Sequence, residues 1–341
     1  MRRLAPLALL LSGCHAVVVV AELADLSSGT SSSSNDLSSG TSSSNDLSSG
    51  TDDTQCTPPV MTPCDGAFDP LRALGLGCPG DPAPAQVALL SPEPGAARTA
   101  RQFANAVWTA RAGEQLLALS TGFLPPPDVN GRITVPAGAA VPGTDNQNPD
   151  GAPPPAPVDA DALGGRWQTD QAHDLVALRF DLPVPEDIRG FTLDLAFLSA
   201  EYPRRADLAV GDALIVWVTG EAYTGDLAGL GVPVGATALR GAIAEGGLVG
   251  VAPALVDTGF DGLDAEPCDL GWASYPQCPR GGALAWSPLR GPATPGELLQ
   301  VVVALADQGD ATRDTVVLLD AWRWTCDDCT RDNDCGLAPA P

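Results

Sequence analysis

Along "HDLVALRFDLPV" apolar and polar side chains alternate with a period of two. Leu175, Ala177, Arg179 and Asp181 fall on one side, and Val176, Leu178, Phe180 and Leu182 on the other. "FTLDLAFLS" repeats the pattern, with Phe191, Leu193, Leu195 and Phe197 set against Thr192, Asp194 and Ala196. Such alternation predicts half-buried strands of an antiparallel sheet. "DALIVWVTG", "LLQVVVALAD" and "DTVVLLDAWRW" are almost continuously apolar and suit central strands, and "EQLLALSTG" reads as a further strand. Two stacked antiparallel sheets bury this pattern most simply, so the expected fold is mainly β: an antiparallel, jelly-roll-like β-sandwich with a few short helices and long loops. "DPLRALGLGC" and "TARQFANAVW" predict two of those helices, with Asp69 and Thr99 as N-caps. Residues 123–165, rich in Pro, Gly and Asp, read as a long loop or a boundary between two parts.

The N-terminus carries a different pattern. "MRRLAPLALLLSGC" places two arginines, an apolar run and Leu11-Ser12-Gly13 ahead of Cys14, as in a bacterial lipoprotein signal whose cysteine is lipidated and becomes the first mature residue. An ordinary cleaved signal, or an anchor running on through "HAVVVV", are the alternatives. "DLSSGTSSSSN", "DLSSGTSSSN" and "DLSSGTDDTQ" then repeat over Asp25 to Gln55. One Leu per unit cannot build a core, so this is a tether, with a root-mean-square span of roughly 30 Å. The expected organisation is a signal peptide (1–13), a lipid-anchored tether (14–55), a disulfide-braced β domain (56–325) and a Cys/Asp-rich tail (326–341).

Composition narrows the chemistry. Every one of the 18 basic residues is Arg, against 42 acids, for a formal charge of -24; removing residues 1–13 takes away Arg2 and Arg3 and no acid. Nucleic acid is excluded as a partner, because binding it requires a basic surface. With no Lys, a Walker A loop and a Schiff base are impossible. The two histidines are His15 and His173, and His173 reads as a polar residue leading into a strand. Of nine cysteines, eight remain beyond Cys14. In an exported chain they read as disulfides, with Cys268–Cys278 in "CDLGWASYPQC" the best single pairing. "CDDCTRDNDC" also reads as metal ligands, but disulfides are preferred there too.

Several segments together resemble a known family. "LDLAFLSAEYP", "VGDALIVWVTG" and "VVVALADQGDATRDTVVLLDAW" are similar to the choice-of-anchor L domain of bacterial surface proteins, through Ser199, Glu201, Tyr202, Pro203, Asp212, Asp307, Gly309, Asp310 and Asp314. The chain departs from that pattern at Ala200, Gly211 and Thr315. The resemblance implies display at the cell surface through one of several anchors and no established enzymatic activity. It also implies that Glu201 and Asp212 share one domain with "DQGDATRD".

That acidic segment has three readings. Asp307, Asp310 and Asp314 around Gly309, completed by Glu201 and Asp212, supply the oxygens that Ca2+ takes. Alternatively Asp307 and Asp310 shape a turn between core strands, with Arg313 or another Arg neutralising them. A glycosidase-like carboxylate pair is the third. Trp322 and Trp324 share one face of "AWRW" and suit either a core or a sugar platform. The expectation is a lipid-anchored protein of the cell envelope, at the outer membrane or cell surface, acting in binding, adhesion or envelope structure. Its partners are the membrane, through the lipid, and a surface polysaccharide or protein. A carboxylate-dependent hydrolase of an extracellular polysaccharide is the alternative.

Overall fold

The apolar runs become two stacked sheets. The computed structural model describes residues 56–61, 63–66, 69–79, 81–91, 93–103, 108–133, 150–199, 212–229, 253–254, 282–309 and 315–337. In chain order the strands are β1 (Ala85–Leu90), β2 (Ala97–Ala100), β3 (Gln102–Phe103), β4 (Trp108–Thr109), β5 (Leu116–Ser120), β6 (Arg132–Ile133), β7 (Ala172–Pro183) and β8 (Gly190–Ser199). They continue with β9 (Ala213–Thr219), β10 (Thr224–Asp226), β11 (Pro253–Ala254), β12 (Gly282–Pro292), β13 (Leu298–Gln308), β14 (Thr315–Thr325) and β15 (Gly336–Leu337). Among the described residues the short α-helices are α1 (Pro70–Ala73) and α2 (Cys329–Asp332).

One sheet runs β1-β7-β13-β9-β10; the other runs β11-β12-β8-β14-β5-β2, with β15 added to β12. Every pairing within these two sheets is antiparallel. Between them lies one core. β7 contributes Val176, Leu178, Phe180 and Leu182, and β13 contributes Val301, Val303 and Leu305. Facing them are Phe191, Leu193, Leu195 and Phe197 of β8, with Val317 and Leu319 of β14. Each such side chain, fully buried, contributes about 1.5–3 kcal/mol. The sandwich expected from alternation is therefore the fold.

The continuously apolar strands have a further cause: both outer faces are covered. A three-stranded sheet, β4-β3-β6, seats Phe103, Trp108 and Ile133 on Val316 and Leu318 of β14 and on Ala196 and Leu198 of β8. On the opposite side Leu163 and Trp167 pack against Ala177 of β7, Ile215 and Trp217 of β9, and Val302, Ala304 and Ala306 of β13. The described part of the loop over 123–165 thus includes a strand, β6, and a cover for a sheet.

Of the two expected helices, one forms. Asp69 accepts from the N–H of Leu71 (3.0 Å) and Arg72 (3.3 Å), with Pro70 at the first helical position, so α1 is capped as its sequence predicts. Thr99 is not an N-cap. It lies in β2, opposite Leu117 of β5, and Gln102–Phe103 forms β3. Propensity yields to the open edge of β5, where the ladder satisfies the backbone and buries Ala97 and Ala100.

Disulfides Cys56–Cys326, Cys64–Cys78 and Cys329–Cys335 brace the domain. The first joins the residue that follows the tether to the end of β14. Cys268 and Cys278, and with them their expected pairing, lie outside the described residues, as does Cys14.

Candidate functional site

Asp212 stands just before β9 and Asp307 in β13, on neighbouring strands whose register runs Ala213 opposite Ala306. Leu214 and Val216 on one strand, and Val303 and Leu305 on the other, face the inter-sheet core, so period-two alternation turns both aspartates into the end of the sandwich. Both are 1 % exposed. Thr315, the first residue of β14, completes the group from the other sheet, with its hydroxyl donating to Asp212 Oδ2. Its own N–H donates to Thr121 Oγ1 (2.9 Å), and Thr121 N–H donates back to the Thr315 carbonyl (3.0 Å). Gln308 N–H reaches Asp212 Oδ1 at 3.4 Å.

Burial, then the charge of Asp307 and a hydrogen bond with it, hold the Asp212 carboxyl well above the usual carboxylate range; Thr315 and Gln308 pull it back only in part. Two buried carboxylates in contact cannot both stay ionised unless positive charge joins them, whether a proton, a guanidinium or a metal ion. The fold therefore brings together two of the five sequence-predicted cation ligands. Glu201, Asp310 and Asp314 lie outside the described residues, and so does Arg313. Among the described residues no group of three or more His, Cys, Asp or Glu side chains can hold a metal ion. Gly309, at φ 93°, ends β13 in the left-handed region, and its N–H donates to the Gln171 carbonyl at 2.9 Å. The glycine of "DQGD" thus follows the last residue of the strand in a conformation that favours glycine.

A second carboxylate pair was not legible in the sequence. Asp194 of β8 and Asp320 of β14 are cross-strand partners on the outer face of their sheet. Asp320 is fully buried. Its Oδ2 accepts from the N–H of Arg111 (2.5 Å) and Ala112 (3.3 Å), and its Oδ1 from Ala321 N–H (2.5 Å). Burial pushes its carboxyl from 3.8 up to about 7, against those three bonds and with the Asp194 charge adding to the rise. Arg111 Nε (3.4 Å) and an Arg323 terminal nitrogen (3.5 Å) both approach Asp194 Oδ2. An acid held near neutrality beside a second carboxylate is the electrostatic pattern of a proton-transfer pair. Here the geometry opposes that role, since both Asp320 oxygens are taken by backbone donors and no part of the residue meets solvent.

β14 creates this arrangement with an irregularity. The register shifts between Asp320 and Arg323, and Ala321 sits at φ 54°. The extra residue lets Trp322 and Trp324 follow Leu319 into the core while Asp320 and Arg323 both face outward. Trp322 stacks on Phe191 (ring centroids 4.1 Å) and meets Trp324 edge-on (5.5 Å). Both tryptophans are buried, which removes them as a sugar platform.

His173 lies in β7 with its Nδ1 2.8 Å from Asp150 Oδ1. "CDDCTRDNDC" is partitioned by the Cys56–Cys326 and Cys329–Cys335 bridges, so these thiols are not metal ligands. No family model, no curated protein and no solved structure matches this chain.

Proposed function

We propose that this chain is a lipid-anchored protein of the cell envelope, displayed at the outer membrane or cell surface. Its β-sandwich acts by binding a surface polysaccharide or protein, in the manner its resemblance to choice-of-anchor L domains suggests. The observation that carries this reading is the Cys56–Cys326 bridge. A disulfide-braced domain belongs to an oxidising compartment. This bridge also joins Cys56, the residue that follows the low-complexity tether, to the end of β14, a central strand.

The reading includes a cation, Ca2+ by its oxygen-rich donor set, held by Asp212 and Asp307 together with Asp310, Asp314 and Glu201. Support comes from the need for positive charge between Asp212 and Asp307 and from the sequence proximity of the other three acids to the same strand ends. The two buried pairs, Asp212–Asp307 and Asp194–Asp320, are closed to a substrate, and binding is the activity proposed.

The deciding experiment is Cys14→Ser in cells fed an alkyne fatty acid. The natural chain takes up label and sediments with membranes, whereas the variant loses the label and the sedimentation. Equal label and equal membrane retention in the variant overturn the anchor.

A further inference from the structure

Residues 150–171 lie over the outer face of the β1-β7-β13-β9-β10 sheet without joining its ladder. Their regular structure is two short 3₁₀ turns, Asp161–Leu163 and Thr169–Gln171, and their internal backbone hydrogen bonds close local turns. Among the described residues, backbone bonds to the strands and their ends occur at the two limits of the segment. Gly151 N–H donates to the Ala172 carbonyl (2.8 Å), and the Gln171 carbonyl accepts from Gly309 N–H (2.9 Å). Between those limits the contacts run through side chains. Leu163 and Trp167 sit on a floor centred on Ala177, Trp217, Val302 and Ala304. Arg166 pairs with Asp226 of β10, Gln168 N–H donates to Gln308 Oε1 (3.1 Å), and the Ala156 carbonyl accepts from Arg179 Nη1 (3.2 Å).

Buried polar groups of a permanent interface are hydrogen-bonded with few exceptions. Here Arg166 Nη1, Arg179 Nε, Asp181 Oδ1 and Gln308 Nε2 are buried with no hydrogen-bond partner among the described residues. All four belong to the segment or to the face it covers. Arg179 and Asp181 follow Ala177 on the outward side of β7, and Gln308 follows Ala306 on the outward side of β13. Burial also pulls the Arg166 guanidinium below its ordinary range, so the pair with Asp226 gives back part of its attraction as desolvation. The inner faces of the same strands differ: β7 and β13 are bonded to each other along their length and bury Val176, Leu178, Phe180, Val301 and Val303 between the sheets.

From these contacts we propose that residues 150–171 form a lid, which opens as a unit from the outer face of this sheet while the sandwich stays folded. A segment without a ladder and with few apolar anchors opens at lower free energy than strands bonded on both sides, and lids are drawn from that end of the stability range. Opening lets water reach the four stranded polar atoms, which offsets part of what uncovering Leu163 and Trp167 loses. Asp150, 2.8 Å from His173 Nδ1, and Gly151 fix one hinge, and Gln171 on Gly309 fixes the other. The open state presents Trp217, Ile215 and Val302 with Arg179, Asp181 and Gln308 on the same face. Such a floor, apolar at its centre with a few polar groups around it, has the make-up of a ligand-binding face.

The test compares Val302→Cys with Val303→Cys, which place a thiol on adjacent, fully buried residues of β13, one under the lid and one between the sheets. Each thiol is labelled in the full oxidised chain, from no urea to the foot of the unfolding transition, and its rate is divided by that of the unfolded chain. The Val302→Cys thiol should react at least about a hundredfold faster and respond little to urea, because opening a lid exposes little surface. The Val303→Cys thiol should accelerate steeply with urea, as global unfolding does. Equal rates with equal urea dependence overturn the lid. The natural chain supplies a second measurement that needs no substitution. The Trp217 indole N–H, although bonded to Thr219 Oγ1 (3.1 Å), should exchange with deuterium faster than the Trp322 indole N–H in the core; protection as strong as that of Trp322 also overturns the lid. Neither readout involves the anchor or a cation, so failure of the lid leaves the reading above standing. Failure of the Cys14 experiment leaves the lid.

Discussion

Asp320→Asn should alter the pH dependence of stability in a direction and by an amount that the burial of Asp320 dictates. The folded carboxyl is raised from 3.8 to about 7, so between those values the folded chain holds a proton that the unfolded chain has released. Stability therefore falls as pH rises through that window and is level on either side of it. A gap of about three pH units corresponds to about 4 kcal/mol, of which about 2 kcal/mol is lost between pH 5 and pH 7. Asparagine copies the neutral form. Its carbonyl can take the place of Oδ2 and keep the Arg111 and Ala112 bonds, but its amide then faces Ala321 N–H, a fixed cost of about 1–3 kcal/mol. Urea midpoints measured from pH 5 to pH 8 on both proteins, with the slope of each transition confirmed equal, separate the two effects. The difference between variant and natural chain should move by about 3 kcal/mol in favour of the variant from pH 5 to pH 8. Asp212 titrates in both proteins and cancels from the comparison. A difference that stays constant across that range, or that moves the other way, would show that the three N–H donors and the flanking arginines hold Asp320 ionised, and would refute the reasoning.

Two other predictions concern the ends of the sandwich. Calcium at a hundredfold excess over its Kd should stabilise the fold by about 2.7 kcal/mol, chelator should lower Tm, and Asp212→Asn should abolish both responses. Chelator-insensitive melting, with stability falling as pH rises and Asp212→Asn removing that fall, would instead assign a proton to the Asp212–Asp307 pair. Mass mapping without reductant should link Cys56 to Cys326, Cys64 to Cys78 and Cys329 to Cys335, with Cys268–Cys278 as the fourth bridge. Replacing Cys56 and Cys326 together by serine should cost up to about 5.6 kcal/mol, the chain-entropy value for a sequence separation of 270; a loss below about 1 kcal/mol in urea unfolding would contradict the bracing role.

The two candidate carboxylate pairs differ in how far they could be read without coordinates. Asp307 was visible because it ends an apolar run beside Gly309, and Asp212 because it stands at the start of the apolar run "DALIVWVTG". Asp194 and Asp320 each look like ordinary polar interruptions of a strand, and nothing local links positions so distant in the chain. Their meeting depends on the pairing of β8 with β14 and on the residues at which the two strands fall opposite one another. Arg111 is further still from local inference, since its backbone and its side chain serve two different carboxylates on two strands.

Period-two alternation along β7 and β8 determined by itself which residues face the core, because a side chain on a pleated strand has only two directions to take. The unbroken apolar runs likewise determined that β9, β13 and β14 would be central, since both of their faces must be shielded from water. What the sequence left open was the identity of each shield, and whether the alternation persists to the strand's end. In β14 it does not. Unbroken alternation from Leu319 would bury Ala321 and Arg323 and expose Trp322 and Trp324. The shift at Ala321 reverses this, putting both tryptophans in the core and Arg323 beside Asp194. The left-handed backbone at Ala321 costs about 1–2 kcal/mol, which burial of two indoles exceeds. That comparison becomes available only once the opposing sheet supplies Phe180 and Phe191 as partners for the rings, so the tertiary structure, and not the local sequence, decides where the strand bends and which residues meet outside it.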